Sequence, residues 1–157
     1  MSRLGIMTLV AALGWAGGIE AAAQEVEGPR AAVDQLFLGM RMGDARIAQE
    51  VLAADVRFAV VEATDGETTI VTETLDTFLL AVAASQGAWN EQIYDVEVLI
   101  DDHVASVWAP YTFYLGGRIS HCGVNSFELL RDGEGWKITQ ISDTRRMEGC
   151  PDPLEAR

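Results

Sequence analysis

The sequence predicts an α+β protein in which helices pack on one face of a curved antiparallel sheet. Three observations carry this reading. Apolar residues recur at helical spacing in the first part of the chain. After Gly87 the pattern changes to long β-rich segments. Those segments are divided by tight Gly- and Asp-containing turns, which makes them a meander. Helices gathered ahead of a meander favour segregated layers over alternating βαβ units. A length of 157 residues corresponds to about one domain.

The elements follow in order. From Arg30, Val33, Leu36, Phe37 and Met40 recur three and four apart, which predicts a helix with one apolar stripe. Pro29 fits its first turn. Gly43-Asp44 ends that helix and Asp44 can cap the next, expected over Ala45 to Ala53 with Ile47, Val51 and Leu52 on one side. The strand VRFAVVEA follows. Asp65-Gly66 is a hairpin signal, and Thr68 to Thr72 is the return strand. Leu75 to Ser85 reads as a third helix, with Leu75, Phe78, Leu79 and Val82 aligned. The meander then runs Gln92 to Ile100, Val104 to Leu115, Arg118 to Arg131 and Trp136 to Thr144. Its turns are Asp101-Asp102, Gly116-Gly117 and Asp132 to Gly135. Pro110, inside a long strand, is a candidate bulge.

The N-terminus, MSRLGIMTLVAALGWAGGIEAAAQ, has the parts of a secretory signal. Arg3 is the positive end, Leu4 to Ala16 is an apolar run, and Ala21-Ala22-Ala23 is a small-residue cleavage site before Gln24. The run is too short for a stable span, which needs roughly 20 residues. The expected organisation is residues 1–23 as cleaved signal, 24–29 as mobile leader, 30–146 as the domain and 147–157 as a tail tied back by Cys150. Export places the protein in the periplasm or outside the cell, with no stable membrane anchor. There two cysteines in one small domain pair as a rule, so Cys122 is expected to bond Cys150.

The net charge is −13. It stays −13 after removal of residues 1–23, which takes away Arg3 and Glu20 together. Such a surface repels phosphate, which excludes nonspecific nucleic-acid binding as a function.

The opening helix with Phe37, the Gly-Asp before the second helix, and above all FELLRDGEGWKI at 127–138 resemble the nuclear transport factor 2-like superfamily, also described as SnoaL-like or ketosteroid-isomerase-like. The resemblance covers about residues 30–145. WAPYTFY at 108–114, SHCG at 120–123 and DTRR at 143–146 are similar to exported bacterial members with no assigned reaction. The resemblance implies a conical half-barrel, with a curved sheet of about six strands and three helices on its concave face, enclosing one apolar pocket. Superfamily members include isomerases, cyclases, dehydratases and noncatalytic modules, so the resemblance defines no single activity.

Strand parity sorts residues onto faces. If Arg131 faces Trp136 across the last turn, His121, Asn125, Phe127, Gln140 and Ser142 share the concave face, and Cys122, Lys137 and Asp143 lie opposite. Carried across Gly116-Gly117, this places Trp108, Thr112 and Tyr114 with His121, and Tyr111 and Phe113 with Cys122. Both faces of that strand are then apolar. Either a bulge shifts parity near Pro110, or the convex face is buried in a homodimer; the sequence leaves both open.

The expected pocket residues are therefore Trp108, Thr112, Tyr114, His121, Asn125 and Gln140. His121 and Cys122 are strand neighbours pointing opposite ways, so they cannot act as base and nucleophile. Zinc would require His103, His121, Cys122 and Cys150 together, with no ligand spacing to support it, so no metal or other cofactor is expected. His103, beside Asp101-Asp102, suits an exposed turn. His121 is the best catalytic candidate, as a base or carbonyl polariser, against the alternative of a hydrogen-bonded structural histidine. Asp143 is a weaker candidate base because parity points it outward, and Tyr94, Tyr111 and Tyr114 are possible donors. The favoured function is an exported noncatalytic module for a small apolar molecule. The alternative is a small enzyme of the isomerase, dehydratase or cyclase type acting through His121.

Overall fold

The computed structural model of the chain describes residues 17–64 and 67–154. Helix α1 spans Gly17–Met42, α2 Ala45–Gln49 and α3 Leu75–Ser85. The strands are β1 Leu52–Thr64, β2 Glu67–Glu73, β3 Trp89–Ile93, β4 Glu97–Asp101, β5 Val104–Leu115, β6 Arg118–Asp132 and β7 Gly135–Arg145. They form one sheet in the order β2-β1-β7-β6-β5-β3, with β4 also on β5. The expected α+β class holds, with seven strands. The sheet is not purely antiparallel, since β1 runs parallel to β7.

Local chemistry sets the boundaries. Gly43 ends α1 at φ +64°, where a residue without Cβ adopts the left-handed conformation without strain. The Asp44 side chain then caps α2 by accepting from the Arg46 backbone N–H at 3.0 Å. Thr74 caps α3 in the same way, accepting from Thr77 N–H at 3.2 Å. Helix α2 is shorter than expected. Val51 and Leu52 are drawn off it because Ile138 N–H donates to the Val51 carbonyl at 2.8 Å and Leu52 pairs with Ile138. The single strand expected over Gln92 to Ile100 is two strands. β3 pairs with the Tyr111–Leu115 half of β5 and β4 with the Val104–Trp108 half, separated near Asp95 at φ +47°.

The N-terminal expectations fare differently. Most of the signal segment lies outside the described residues. The segment 24–29, expected to be a mobile leader, is part of α1, so Pro29 sits inside the helix and is buried. Gly28 approaches Trp136 so closely that an added Cβ would lie 2.6 Å from its Nε1. Among the described residues no helix is long and apolar enough to cross a membrane. The Asp65-Gly66 turn also lies outside the described residues.

The core forms between the helices and the concave sheet face. Val33, Leu36, Phe37 and Met40, the predicted stripe of α1, are all buried. At about 1.5–3 kcal/mol for each large side chain removed from water, this stripe anchors α1 over the sheet. Phe37 meets Phe127 of β6 edge to face at 6.0 Å, and Phe78 of α3 stacks on Phe58 of β1 at 4.7 Å. On the convex face Cys122 bonds Cys150. The tail then lies against β5, where Thr112 Oγ1 donates to the Pro151 carbonyl at 2.8 Å and Tyr114 OH donates to Asp152 at 2.5 Å.

Two bulges decide which residues face the concave side. Near the turns the register is the expected one, with Arg131 opposite Trp136 and Leu115 opposite Arg118. In β6 an extra residue, Ser120, enters between the pairs Tyr114–Ile119 and Phe113–His121. In β7 the extra residue is Thr139, between Leu129–Ile138 and Glu128–Gln140. Each extra residue reverses parity for the rest of its strand pair. The parity shift in β5–β6 is therefore real, but it arises at Ser120 and not at Pro110.

Candidate functional site

The concave face encloses a cavity of about 210 Å³. Its floor and walls are mostly apolar. α1 supplies Leu36, Phe37 and Met40, β1 supplies Phe58 and Val60, and α3 supplies Phe78. The meander adds Trp89, Phe113, Phe127 and Ile141. All five phenylalanines of the chain line this space. Its polar residues come from the sheet: Glu73 of β2, Glu91 of β3, Tyr111 of β5, His121 and Asn125 of β6, and Asp143 and Arg145 of β7.

The sheet register brings these groups together. Glu91 pairs with Phe113, which pairs with His121. Asn125 pairs with Asp143, which pairs with Val60. Asn125 Nδ2 donates to Glu91 Oε1 at 2.5 Å, crossing the cavity side of β5. Arg145 Nε donates to Asp143 Oδ2 at 2.9 Å. The Tyr111 hydroxyl donates to the Thr144 carbonyl at 3.0 Å, with a longer contact to Asp143 Oδ2 at 3.4 Å. Ser120, the bulge residue of β6, places its hydroxyl 3.1 Å from His121 Nδ1. The His121 ring stacks on Phe113 at 4.9 Å.

Electrostatics follow from this placement. Burial pushes the Glu91 carboxyl up to about 7, against the Asn125 hydrogen bond, which favours the charged form. Its carboxyl is enclosed by protein, although the residue keeps some surface along the cavity. Glu73 is also raised, by burial first. Burial lowers His121, and the nearby Arg145 cation adds to this against the opposing Asp143 charge, so the site favours the neutral imidazole. Burial raises the Tyr111 hydroxyl, with Asp143 and Glu91 reinforcing it, so that it stays protonated. Burial works most strongly against the Arg145 charge, but the hydrogen bond it donates to Asp143, together with the negative charges of Asp143 and Glu62, outweighs it.

Of the residues expected in the pocket, His121 and Asn125 line the cavity. Trp108, Thr112 and Tyr114 do not. The Ser120 bulge turns them to the convex face, where Trp108 is 52% exposed and Thr112 and Tyr114 are buried under the tail. Gln140 is turned away by the Thr139 bulge and bonds Ser142 at 3.1 Å. The same bulge reverses the expectation for Asp143, which faces inward. Tyr94 lies in the β3–β4 connection, its backbone N–H bonded to the Pro110 carbonyl at 3.0 Å. Glu91, Glu73 and Arg145 were not foreseen. Glu91 had a readable signal, because Trp89, Glu91 and Ile93 alternate on one face and an acid between two apolar neighbours is unusual. Cys122 and Cys150 are bonded to each other, and His103 pairs with Asp102 at 2.7 Å in an exposed turn. Among the described residues no group of three or more His, Cys, Asp or Glu is placed to hold a metal.

A helix-covered, curved sheet closing over one cavity with a polar wall defines a cone-shaped α+β fold. No protein-family model and no curated protein sequence matches the chain, but solved structures do. An NTF2-like protein with a cystatin-like fold from Novosphingobium aromaticivorans is 15% identical, with a TM-score of 0.62 over 87% of this chain and 94% of that one. A provisionally assigned dehydratase of the NTF2-like family from Streptomyces avermitilis is 16% identical, with 0.59 over 80% and 98%. A provisionally assigned ketosteroid isomerase from Shewanella frigidimarina is 18% identical, with 0.56 over 74% and 94%. At these identities the likeness defines the fold: the chain has the nuclear transport factor 2-like fold that its sequence predicted.

Proposed function

We propose that the cavity binds a small, mostly apolar molecule and moves a proton on it, with Glu91 as the acid/base group. The observation that carries this reading is the convergence of Glu91, Asn125, His121, Tyr111 and Asp143 on one wall of an otherwise apolar space. A base works best when its proton affinity lies near the working pH, and burial moves Glu91 to about 7. Asn125 fixes one Glu91 oxygen and leaves the other for substrate. With a carbonyl substrate, ionised Glu91 takes the proton from the adjacent carbon. The C–H bond breaks, an O–H bond forms on Glu91, and the electron pair moves to the carbonyl oxygen as an enolate. Neutral His121, held at Nδ1 by Ser120, can offer Nε2–H to that oxygen in the tautomer where Ser120 donates. The sequence favoured a noncatalytic module and looked to His121 as the base of an enzyme. The cavity carboxylates shift the balance, and His121 becomes the oxyanion partner. The provisional dehydratase and isomerase among the similar folds are compatible with this chemistry.

The test is exchange of α-hydrogens into D2O for a panel of small apolar ketones, followed by NMR. The native protein is expected to accelerate exchange on at least one, and Glu91→Gln to slow it about 10²-fold or more. Binding without exchange in the native protein would reject the catalytic reading. The noncatalytic module would then be favoured, and one observation already points that way. Among the described residues no buried side-chain nitrogen or oxygen lacks a hydrogen-bond partner, so the polar wall is self-sufficient without a reaction.

Two features of context belong to the same proposal. The Cys122–Cys150 bond supports export to an oxidising compartment. The open half of the convex face carries exposed Leu99, Val104, Trp108 and Leu130 on adjacent strands. Its occupant in this reading is a second copy of the chain. The tail already covers the other half of that face, over Thr112 and Tyr114, and leaves this patch bare.

A further inference from the structure

We propose that the ligand of the cavity is a small amine, a protonated nitrogen on a single aromatic or aliphatic body. This rests on the reading of the cavity as a ligand site and names the ligand's chemistry. The polar wall is unbalanced in charge. Glu73, Glu91 and Asp143 face one cation, Arg145, and that cation is already bonded to Asp143. Glu62 of β1 adds a further negative charge that acts on Arg145. Among the described residues that line the cavity Arg145 is the one Arg or Lys, and burial and Arg145 both disfavour a charge on His121. An anionic ligand would meet surplus carboxylates. A cation would meet a carboxylate at Glu91 and the surroundings that best accept an organic ammonium.

Those surroundings are aromatic. Seven of the lining residues are Phe, Tyr or Trp, including Phe113, the cross-strand partner of Glu91, and Trp89, two residues before it, which meet edge to face at 5.8 Å. Aromatic faces attract ammonium groups, and the attraction grows when the site is dry. Size agrees. A cavity of about 150 Å³ accepts benzene, so about 210 Å³ admits one ring with a short arm. The surface charge of −13 also draws cations toward the protein from solution.

Proton linkage makes the proposal sharp. In the empty cavity Glu91 is partly protonated near neutrality. An ammonium beside it favours the carboxylate, so binding expels a proton and affinity rises from pH 6 to 8. The groups facing Glu91 that could mask this are Glu73 on β2, Tyr111 on β5, His121 on β6, and Asp143 and Arg145 on β7. Tyr111 and Arg145 keep their protons through that range. His121, lowered by burial and Arg145, and exposed Glu73, raised by burial, are separated from Glu91 by the Glu91→Gln variant, which removes only the release that Glu91 supplies.

The experiment is calorimetric titration of the full chain with three probes of one shape: phenethylamine, phenethyl alcohol and hydrocinnamate. The amine is expected to bind on the order of tenfold more tightly than the alcohol, and hydrocinnamate least. Runs at pH 7 in two buffers of unlike ionisation heat are expected to show fractional proton release with the amine alone. Glu91→Gln should remove the release and most of the preference, leaving alcohol affinity unchanged. Should Glu91→Gln fail to fold, Glu73→Gln is expected to cost the amine several-fold and the alcohol nothing. Equal or tighter binding of the alcohol, or tighter binding of hydrocinnamate, overturns the amine and leaves the cavity reading standing. No binding of any probe at millimolar concentration overturns both.

Discussion

At the residue scale, two positions show how tightly the site is specified. Gly123 lies between His121 and Asn125 on β6, and an added Cβ would sit 1.8 Å from the Thr144 carbonyl oxygen. That carbonyl is the one Tyr111 OH donates to, so the glycine lets β7 close against β6 where the polar wall is anchored. Gly123→Ala is expected to destabilise by about 1–3 kcal/mol or more through overpacking, read as a lower urea midpoint. Glu91 works in the opposite sense. Its folded value of about 7 lies above the ordinary 4.5, so the fold favours its protonated form. Its contribution is complete below about pH 4.5 and is lost as pH rises through 7. Glu91→Gln keeps an oxygen for Asn125 and cannot ionise. Its stability should match the native protein near pH 4 and exceed it by roughly 1–3 kcal/mol at pH 8. Urea titrations at several pH values check this, and a constant difference across pH would refute it. A stabilising substitution that stops proton exchange would also mark Glu91 as a residue kept for chemistry at the expense of the fold.

At the element scale, most of the fold was legible and half of the site was not. The stripe of α1, the Asp44 cap, the Gly116-Gly117 turn and the register at both hairpin turns were readable because each rests on a strong local signal. The two bulges carry no glycine or proline, so parity counted from the turns goes wrong after one residue. This single error moved Trp108, Thr112, Tyr114 and Gln140 to the wrong face and hid Tyr111, Asp143 and Arg145. One trace was present in β7: Ile138 and Ile141 both lie in the core, and residues three apart share a face only across a bulge. Glu91 was lost to a boundary, since the strand was begun at Gln92. The disulfide fixes the end of the same element. Cys122 and Arg146 exchange backbone hydrogen bonds at 3.0 and 2.9 Å, and the bridge four residues later holds the tail over β5. Its 28-residue loop predicts that the Cys122→Ser, Cys150→Ser double variant loses about 3–4 kcal/mol in the chain-entropy model. Denaturation of native protein with and without reductant should show the same loss, and an unchanged midpoint would exclude a stabilising role for the bond.

At the scale of the whole molecule, charge and shape act against each other. The cavity and its helices occupy one side of the sheet, and the other side carries the tail and the bare patch around Trp108. In the proposed dimer two such patches meet, removing from water an indole that is 52% exposed and a Leu99 that is 72% exposed. Each copy also brings a net charge of −13, and the copies repel over about a Debye length, roughly 30 Å at 0.01 M ionic strength and 8 Å at 0.15 M. Association should therefore tighten as salt is added, the reverse of a contact held by ion pairs. Sedimentation equilibrium is expected to show mostly monomer at low salt and dimer at physiological salt. Trp108→Glu, which places a charge at the centre of the patch and touches nothing in the cavity, should keep the protein monomeric at both while leaving probe binding unchanged. A native protein that stays monomeric at high salt and high concentration would reject the dimer. A dimer that weakens with salt would place the contact on charged surface elsewhere, away from the convex patch.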